Sequence, residues 1–223
     1  MTDHQLTPLE ARILGSLIEK ELTTPEYYPL TLNALLAACT QKNNRFPVMA
    51  LDEETLGRGI YSLQEKHLVE SFAGATARAL KYRERLLAVL PLAPDERAII
   101  CELLLRGAQT VGELRARAAR MHPFASAEEV EDALTRLAAR ETGALVAELP
   151  RQPGQKEVRF GHLLGDQPPA AEAPSSELPP PPAVQAAMGE AARAAELERR
   201  VAALESDVAE LKALFQTFKS QFE

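Results

Sequence analysis

The sequence predicts a mainly α-helical protein with small β-hairpins, an α+β fold class, arranged as two similar units in tandem. Three observations lead to this prediction: an internal repeat, a stretch crowded with prolines, and a seven-residue apolar pattern near the end of the chain. They divide the 223 residues into two repeated domains at 1–90 and 91–165, a linker at 166–185 and a C-terminal helix at 186–223.

The repeat is clearest where each copy begins. The stretch "LTPLEARIL" at 6–14 matches "LAPDERAII" at 92–100, with each position 86 residues further along the chain. In both, a proline occupies the first helical turn, where no N–H is needed, and a glutamate lies near the positive end of the helix. Thr7 and Glu10 have capping-box spacing. Ala93 has no side chain that can cap, so the second helix has the weaker start.

Two further helices follow in each copy. "TLNALLA" at 31–37 resembles "TVGELRA" at 110–116, and "DEETLGRGIYSL" at 52–63 resembles "SAEEVEDALTRL" at 126–137. The members of the second pair begin with Asp or Ser, which are good N-caps, and they share an apolar stripe that we interpret as core. The residues of this stripe are Leu56, Ile60 and Leu63 in the first copy, and Val130, Leu134 and Leu137 in the second.

Each copy ends in a pattern typical of a β-hairpin. Candidate strands at 67–73 and 77–86 flank one turn, and candidate strands at 143–150 and 156–164 flank another. Three helices followed by two strands is the order of the winged-helix fold, in which a hairpin wing lies behind a helix-turn-helix. We therefore expect two tandem winged-helix domains.

The first copy also resembles a known family. The segments "TPEYYPLTLNALLAACTQKNNR" at 24–45 and "LDEETLGRGIYSLQEKHLV" at 51–69 are similar to the YceH family of bacterial proteins. The resemblance extends over roughly residues 5–165. It implies a tandem winged-helix fold in a soluble bacterial protein. The family's biochemical role is not established, so the resemblance assigns no catalytic or binding residue to this chain.

The last quarter of the chain predicts a spacer and a self-associating helix. Residues 166–185 contain seven of the sixteen prolines and are typical of an extended linker, with "ELPPPPA" as an alternative ligand for a partner domain. Beyond it, valine at a and leucine at d positions favour a parallel coiled-coil dimer, although the charges also permit an antiparallel pair. A lone helix packed on a winged domain is the other alternative. The predicted interface comprises Leu197, Val201, Leu204, Val208, Leu211, Phe215 and Phe218.

Replacing Leu204 and Leu211 with glutamate is expected to convert the dimer into a monomer. The two substitutions remove two d layers, each of which contributes on the order of a few kcal/mol when buried. Light scattering on the full chain measures the mass. A dimer that persists would place the interface within residues 1–165.

The remaining motifs argue against an enzyme. "GRGIYS" at 57–62 lies within a predicted helix and follows no strand, so it is no phosphate-binding loop. The four histidines lack metal-ligand spacing and neither cysteine has a neighbouring base, so we expect no catalytic residue, metal or cofactor. Cys39 and Cys101 are expected to be buried free thiols in a reducing, cytoplasmic compartment. No stretch approaches the ~20 apolar residues of a membrane span.

Polar and cationic residues near the predicted helix-turn-helix are the candidate nucleic-acid contacts. In the winged-helix arrangement, the segment between the second and third helices faces the nucleic acid, and here it contains "QKNNR" at 41–45. Strand alternation also places three cations of the wing on one face, which suits phosphate. The alternatives are a tight turn and a charged strand edge that resists pairing. The candidates are Lys42, Asn43, Asn44, Arg45, Arg58, Lys81, Arg83 and Arg85.

These patterns indicate a dimeric DNA-binding protein of the transcription-regulator type, with double-stranded DNA and a second copy of itself as partners. The alternative is a protein-interaction scaffold, because the third helix opens with Asp52, Glu53 and Glu54 and the net charge is −7. A continuous positive band from Lys42 to Arg85 would favour DNA. A broken band would favour the scaffold.

Overall fold

The structure, a computed structural model, describes residues 5–73, 79–151 and 157–165, and it has the mixed α+β architecture predicted from the sequence. By its internal contacts the chain divides into Met1–Ser175 and Ser176–Glu223, and every described residue belongs to the first unit. The predicted linker at 166–185 and the predicted coiled-coil interface at 197–218 lie outside the described residues. Both stay predictions.

The first half contains a three-stranded sheet among its helices. In chain order its elements are α1 (Pro8–Thr23), a 3-10 turn (Pro25–Tyr27), β1 (Leu30–Thr31), α2 (Leu32–Cys39), α3 (Glu53–Glu65), β2 (Val69–Phe72), β3 (Lys81–Glu84) and α4 (Leu86–Val89). The strands are antiparallel in the order β1-β3-β2, with Leu30 opposite Tyr82 and Val69 opposite Glu84. Sequence reasoning missed β1 and α4, because two and four residues are too few to show a period.

The second half repeats this order with a smaller sheet. Its elements are α5 (Pro94–Arg106), α6 (Val111–Ala118), α7 (Ala127–Ala138), β4 (Val146–Leu149) and β5 (Arg159–His162). The strands β4 and β5 form an antiparallel hairpin. Gln109 takes the position of β1, since its N–H donates to Phe160 O at 3.0 Å and its carbonyl accepts from Phe160 N at 2.8 Å. The predicted order of helices and strands is therefore confirmed, while the winged-helix assignment itself stays a prediction.

The first helices of the two halves begin as predicted. Thr7 Oγ1 accepts from Glu10 N at 3.3 Å, and the Glu10 carboxylate accepts from Thr7 N at 2.6 Å, which completes a capping box. At α5 only half of this arrangement is present: Glu96 accepts from Ala93 N at 3.0 Å, and Ala93 offers no acceptor in return. The weaker cap of α5 is offset by burial of the helix.

One core serves both halves. The stretches Glu10–Glu19 of α1 and Glu96–Leu105 of α5 are buried at every position, so these two helices are enclosed on all faces. They cross at equivalent residues of the repeat, where Cys101 Sγ donates to Gly15 O at 3.3 Å. A Cβ on Gly15 would lie 3.0 Å from Leu105 Cγ, so the close approach depends on glycine at this position. The core residues of the two halves form a single cluster.

Equivalent ion pairs support the repeat. In the first half, Lys66 Nζ lies 2.7 Å from the buried carboxylate of Glu10. In the second, Arg140 lies 4.0 Å from Glu96, which holds the same place at the start of α5. Burial opposes ionisation of Glu10, but the hydrogen bonds from Lys66, Ser62 and Thr7 outweigh it and lower the pKa of the carboxyl. Each of these pairs fastens the first helix of a half to the third.

Candidate interaction surface

The segment between α2 and α3, residues 40–52, is fastened to the core by a buried arginine. The Arg12 guanidinium on α1 donates to Pro47 O at 2.6 Å and to Cys39 O at 3.3 Å. Phe46 N donates to Leu105 O at 3.0 Å, which joins the same segment to the end of α5. Burial, together with the nearby Arg45, lowers the pKa of Arg12 to about 10, so the group stays protonated at neutral pH.

Arg45 is part of this core and not of the surface, which corrects the expectation that it reaches phosphate. Arg45 is only 3% exposed, and its guanidinium pairs with the buried carboxylate of Glu19. Its Nε also donates to Ala38 O at 3.1 Å, and one terminal nitrogen donates to Asn44 O at 2.8 Å. With all three nitrogens engaged inside the protein, Arg45 positions the segment.

The Arg45–Glu19 pair belongs to a network that links the two halves. Glu19 also pairs with Arg120, whose other terminal nitrogen lies 2.6 Å from the buried Glu102. Burial opposes the charge on Glu19, but the hydrogen bond from Arg45 and the charges of Arg120 and Arg45 outweigh it and lower the pKa of this carboxyl. The network therefore consists of ionised groups that compensate one another.

The rest of "QKNNR" divides between a turn and the surface. Asn44 adopts a left-handed conformation with φ 58°, and its Oδ1 accepts from Arg106 at 3.5 Å. Asparagine tolerates this conformation better than most residues, so Asn44 serves the turn, the alternative that the sequence left open. Lys42 and Asn43 are exposed, and no hydrogen bond or ion pair of theirs occurs among the described residues.

The predicted alternation of the strand at 77–86 is confirmed from Arg83 to Leu86 but is wrong for Leu80, which is 52% exposed, and two of the strand's three cations share one carboxylate. Glu84 and Leu86 are buried, whereas Arg83 and Arg85 point outwards. Arg83 pairs with Glu70, its cross-strand neighbour, and lies 5.7 Å from the ring centroid of Phe72. Arg85 lies 3.6 Å from the same Glu70. Lys81 is partly exposed and has no ion pair within the described part of the chain.

The third helix of the first half presents a mixed face. Arg58 is 67% exposed but donates to Glu54 at 3.0 Å and to Thr55 Oγ1 at 3.2 Å. The apolar stripe of Leu56, Ile60 and Leu63 is buried, as predicted. On the opposite face, Tyr61 is 65% exposed. This face of α3 carries one aromatic ring, one neutralised cation and several carboxylates.

The described cations of the second half, apart from the exposed Arg151, are engaged as well. Arg115 donates to Ala125 O at 2.8 Å, and Arg159 is buried 3.1 Å from Glu113. Arg136 pairs with Asp95 and lies 3.2 Å from Glu96. The described part of the second half therefore offers no cationic patch of the kind that phosphate requires.

An open groove of about 430 Å³ lies beside the paired strands β2 and β3, and its charges are also paired. It is lined by Glu21, Glu70, Arg83, Glu84, Arg85, Leu87 and Ala88. Burial raises the pKa of Glu84, although Arg97 lies 2.7 Å away and counteracts the shift. Arg97 also binds Glu21, so the groove carries compensated ion pairs.

The thiols have the predicted state. Cys39 and Cys101 are free and buried. Burial raises the pKa of Cys39 to about 11 and raises that of Cys101 well above its ordinary range, so both are protonated thiols at neutral pH. Among the described residues, no cluster of His, Cys, Asp or Glu has a geometry that holds a metal. None of the described helices has both the length and the apolar character needed to cross a bilayer.

Comparisons with known proteins identify the family. Residues 6–155 match the model of the family described as "Protein of unknown function, DUF480". The chain is 51% identical to the UPF0502 protein GSU0233 of Geobacter sulfurreducens, over 98% of each chain. It is 52% identical to a UPF0502 protein of Geotalea uraniireducens, again over 98% of each, and 44% identical to the UPF0502 protein YceH of Escherichia fergusonii, over 94% of each. The chain therefore belongs to the UPF0502 family, which contains YceH, as the sequence resemblance indicated.

Proposed function

We propose that this chain is a non-enzymatic interaction module, built from two winged-helix repeats, whose partner is another protein. The observation that carries the proposal is that four of the six cations predicted to contact phosphate form ion pairs with the chain's own carboxylates. These pairs are Arg45–Glu19, Arg58–Glu54, Arg83–Glu70 and Arg85–Glu70. Nucleic-acid affinity arises mainly from cations that release counterions at phosphates, and cations held by the chain's own carboxylates contribute little to it.

The carboxylates also interrupt the surface that DNA would have to approach. A positive band from Lys42 to Arg85 is broken by Glu54 and Glu70, each placed beside an arginine. The equivalent helix of the second half, α7, carries a further set of acidic residues. They are Glu128, Glu129, Glu131 and Asp132. Like charges repel a phosphate backbone, whereas an acidic surface is compatible with a protein partner.

The proposal includes self-association through the heptad at 197–218 and a cytoplasmic location, both of which are supported by sequence patterns alone. A dimer would present the same surface twice. Linked sites raise the apparent affinity for a partner that is itself repeated or dimeric. This arrangement suits a scaffold that holds other proteins together.

DNA binding is the second candidate, and one observation favours it. Lys42, Asn43 and Lys81 lie in the segment and strand predicted to face DNA, and they have no ion pair within the described residues. Two cations are few for specific binding. Each cation at a phosphate contributes about 0.9 to the slope of log affinity against log salt concentration.

A salt series on a short labelled duplex separates the two candidates. We expect either no binding or weak binding whose slope is no steeper than about two, because Lys42 and Lys81 are the two candidate cations that form no ion pair within the described residues. The double variant Lys42→Ala/Lys81→Ala should then lose the remaining slope, while Arg151→Ala, which removes an exposed cation from the second half, should not. Fluorescence anisotropy measures both. A wild-type slope steeper than about five would show that the ion pairs open on DNA and would favour a DNA-binding function.

The positive test is recovery of a protein partner. The tagged full chain, purified from bacterial lysate treated with nuclease, should retain a protein in a fixed ratio to the chain. A complex that disappears with nuclease would instead be held together by nucleic acid. Circular dichroism on every variant verifies that its fold is intact.

A further inference from the structure

Within the described part of the chain, no packing contact accounts for Gly57 of α3. Glycine is the least helix-favouring residue after proline, and Gly57 lies well inside the helix Glu53–Glu65. Among the described residues, no heavy atom lies within 4 Å of a Cβ built at this position. Gly59 differs, because a Cβ there would lie 2.5 Å from Ile13 Cδ1 and 3.0 Å from Leu9 Cδ2. The core requires Gly59, whereas Gly57 leaves bare backbone facing outwards.

The residues around Gly57 form one stripe, in which Glu54, Arg58 and Tyr61 are exposed and Gly57 is half-buried. Glu54, Gly57, Arg58 and Tyr61 have the i, i+3, i+4, i+7 spacing that places them on a single helix face. Tyr61 is 65% exposed, although a tyrosine ring contains much apolar surface. Tyrosine and arginine are enriched among the residues that dominate the energy of protein interfaces. A bare helical backbone next to an exposed ring is a shallow notch that a side chain of another molecule can fill.

The second half lacks this notch. When Asp52 and Ser126 are aligned as caps, Glu131 replaces Gly57 and Thr135 replaces Tyr61 in α7. The repeat therefore retains the buried stripe of the third helix and differs on its outer face. The differences at Gly57 and Tyr61 lie on the outer face and are therefore unrelated to packing of the shared fold.

The charges around the stripe indicate the kind of partner. Asp52, Glu53 and Glu54 cluster at the start of α3 and Glu65 lies at its end, all exposed. The Asp52 carboxylate accepts from Thr55 N, which lowers its pKa, so it is ionised at neutral pH. The cation on this face, Arg58, is already bound to Glu54. The stripe itself is neutral, because Arg58 balances Glu54, but the exposed carboxylates of Asp52, Glu53 and Glu65 beside it make this surface negative, which complements a cationic segment.

We propose, on the basis of the protein-binding function above, that this stripe seats a cationic segment of the partner protein. An aliphatic side chain of that segment lies on the backbone of Gly57 against the Tyr61 ring. Lysine or arginine side chains of the same segment pair with the exposed carboxylates of Asp52 and Glu53.

The probe is a random peptide library displayed on phage and selected on the full chain. We expect the selected peptides to combine lysine or arginine with aliphatic residues. For a synthetic peptide from this selection, Gly57→Ala should weaken binding about tenfold or more, because the added methyl fills the notch, and Tyr61→Ala should do the same. Gly57→Ala should also raise the midpoint of thermal unfolding by about 2–4 °C, because alanine favours the helix. A variant that is more stable yet binds less well separates recognition from folding.

Gly112→Ala is the matched control. Gly112 lies in α6, and the nearest atom to a Cβ there is Thr110 Oγ1 at 3.9 Å, so the substitution fits and leaves α3 unchanged. It should not alter peptide affinity. Peptides that bind the wild type and Gly57→Ala equally would overturn this site while leaving the protein-binding function in place. Acidic selected peptides would overturn the charge complementarity, and a selection that yields no peptide would count against both proposals. Loss of duplex DNA binding in Gly57→Ala would assign the stripe to DNA.

Discussion

Replacing Arg45 with methionine is expected to lower the free energy of unfolding by about 3 kcal/mol, because removal of one partner leaves a buried charge without its main counterion. Glu19 would keep Arg120, which limits the loss, but the hydrogen bonds of Arg45 to Ala38 O and Asn44 O would also disappear. Urea denaturation followed by circular dichroism measures the difference.

Lys42→Met is the matched control. Lys42 lies three residues before Arg45 in the same segment, but its side chain is exposed, so the substitution removes a cation from the surface. It should change the free energy of unfolding by less than about 0.5 kcal/mol. Equal stabilities of the two variants would contradict the burial of Arg45 and return it to the set of candidate DNA contacts. The comparison also shows why an Arg45 variant cannot be used to measure DNA binding: its loss of fold would be mistaken for loss of a contact.

A chain ending after Leu90 is expected not to fold cooperatively, which is the largest effect that the structure predicts. In the whole protein, α1 is buried at ten consecutive positions, and much of that burial is against α5. Removing the second half would expose apolar side chains that each contribute about 1.5–3 kcal/mol when buried. A few such exposures equal the 5–15 kcal/mol that stabilises a typical domain. Thermal unfolding followed by circular dichroism should show no sharp transition.

The control for this experiment is a chain truncated after residue 165. It retains both halves of the core and is expected to unfold in a single transition. The ends of the two halves also meet, since Leu6 N donates to Leu164 O at 2.6 Å and Leu6 bridges to Gly165. A fragment 1–90 that melts sharply would show that the predicted boundary at 90 separates two independently folding domains. A broad, sloping signal from 1–165 would contradict the shared core.

Local features of the fold were predictable because each is encoded by neighbouring residues. The capping box of Thr7 and Glu10, the caps Asp52 and Ser126, and the weak start at Ala93 all follow from spacings of one helical turn. The buried stripes of α3 and α7 follow from the helical period, and the outward-facing Arg83 of β3 follows from strand alternation. Because the sequence contains two copies of this pattern, the helix starts, buried stripes and hairpins predicted for the first half could be compared with those of the second.

The candidate site was predictable only in part, because ion pairs join residues that are distant in sequence. Arg45 meets Glu19, and Arg83 meets Glu70, across separations of 26 and 13 residues. No periodic pattern links such residues. The neighbouring sequence of an arginine in a polar segment therefore does not distinguish an exposed guanidinium from a buried, paired one. The motif "GRGIYS" did contain a usable signal. Gly57 and Gly59 both weaken the helix, but only the packed structure distinguishes the one that the core requires.

The sequence by itself determined the tandem repeat, the order of helices and strands in each half, the α+β class and membership of the UPF0502 family. These properties depend on local propensity, on periodicity and on similarity along the chain. The tertiary structure decided which cations are free, since charge at the surface depends on what lies beside it in space. It also decided that the halves share one core, because the meeting of Gly15 and Cys101 is a contact between positions 86 residues apart. A contact over such a separation is specified by side-chain packing, and the sequence around either residue does not indicate it.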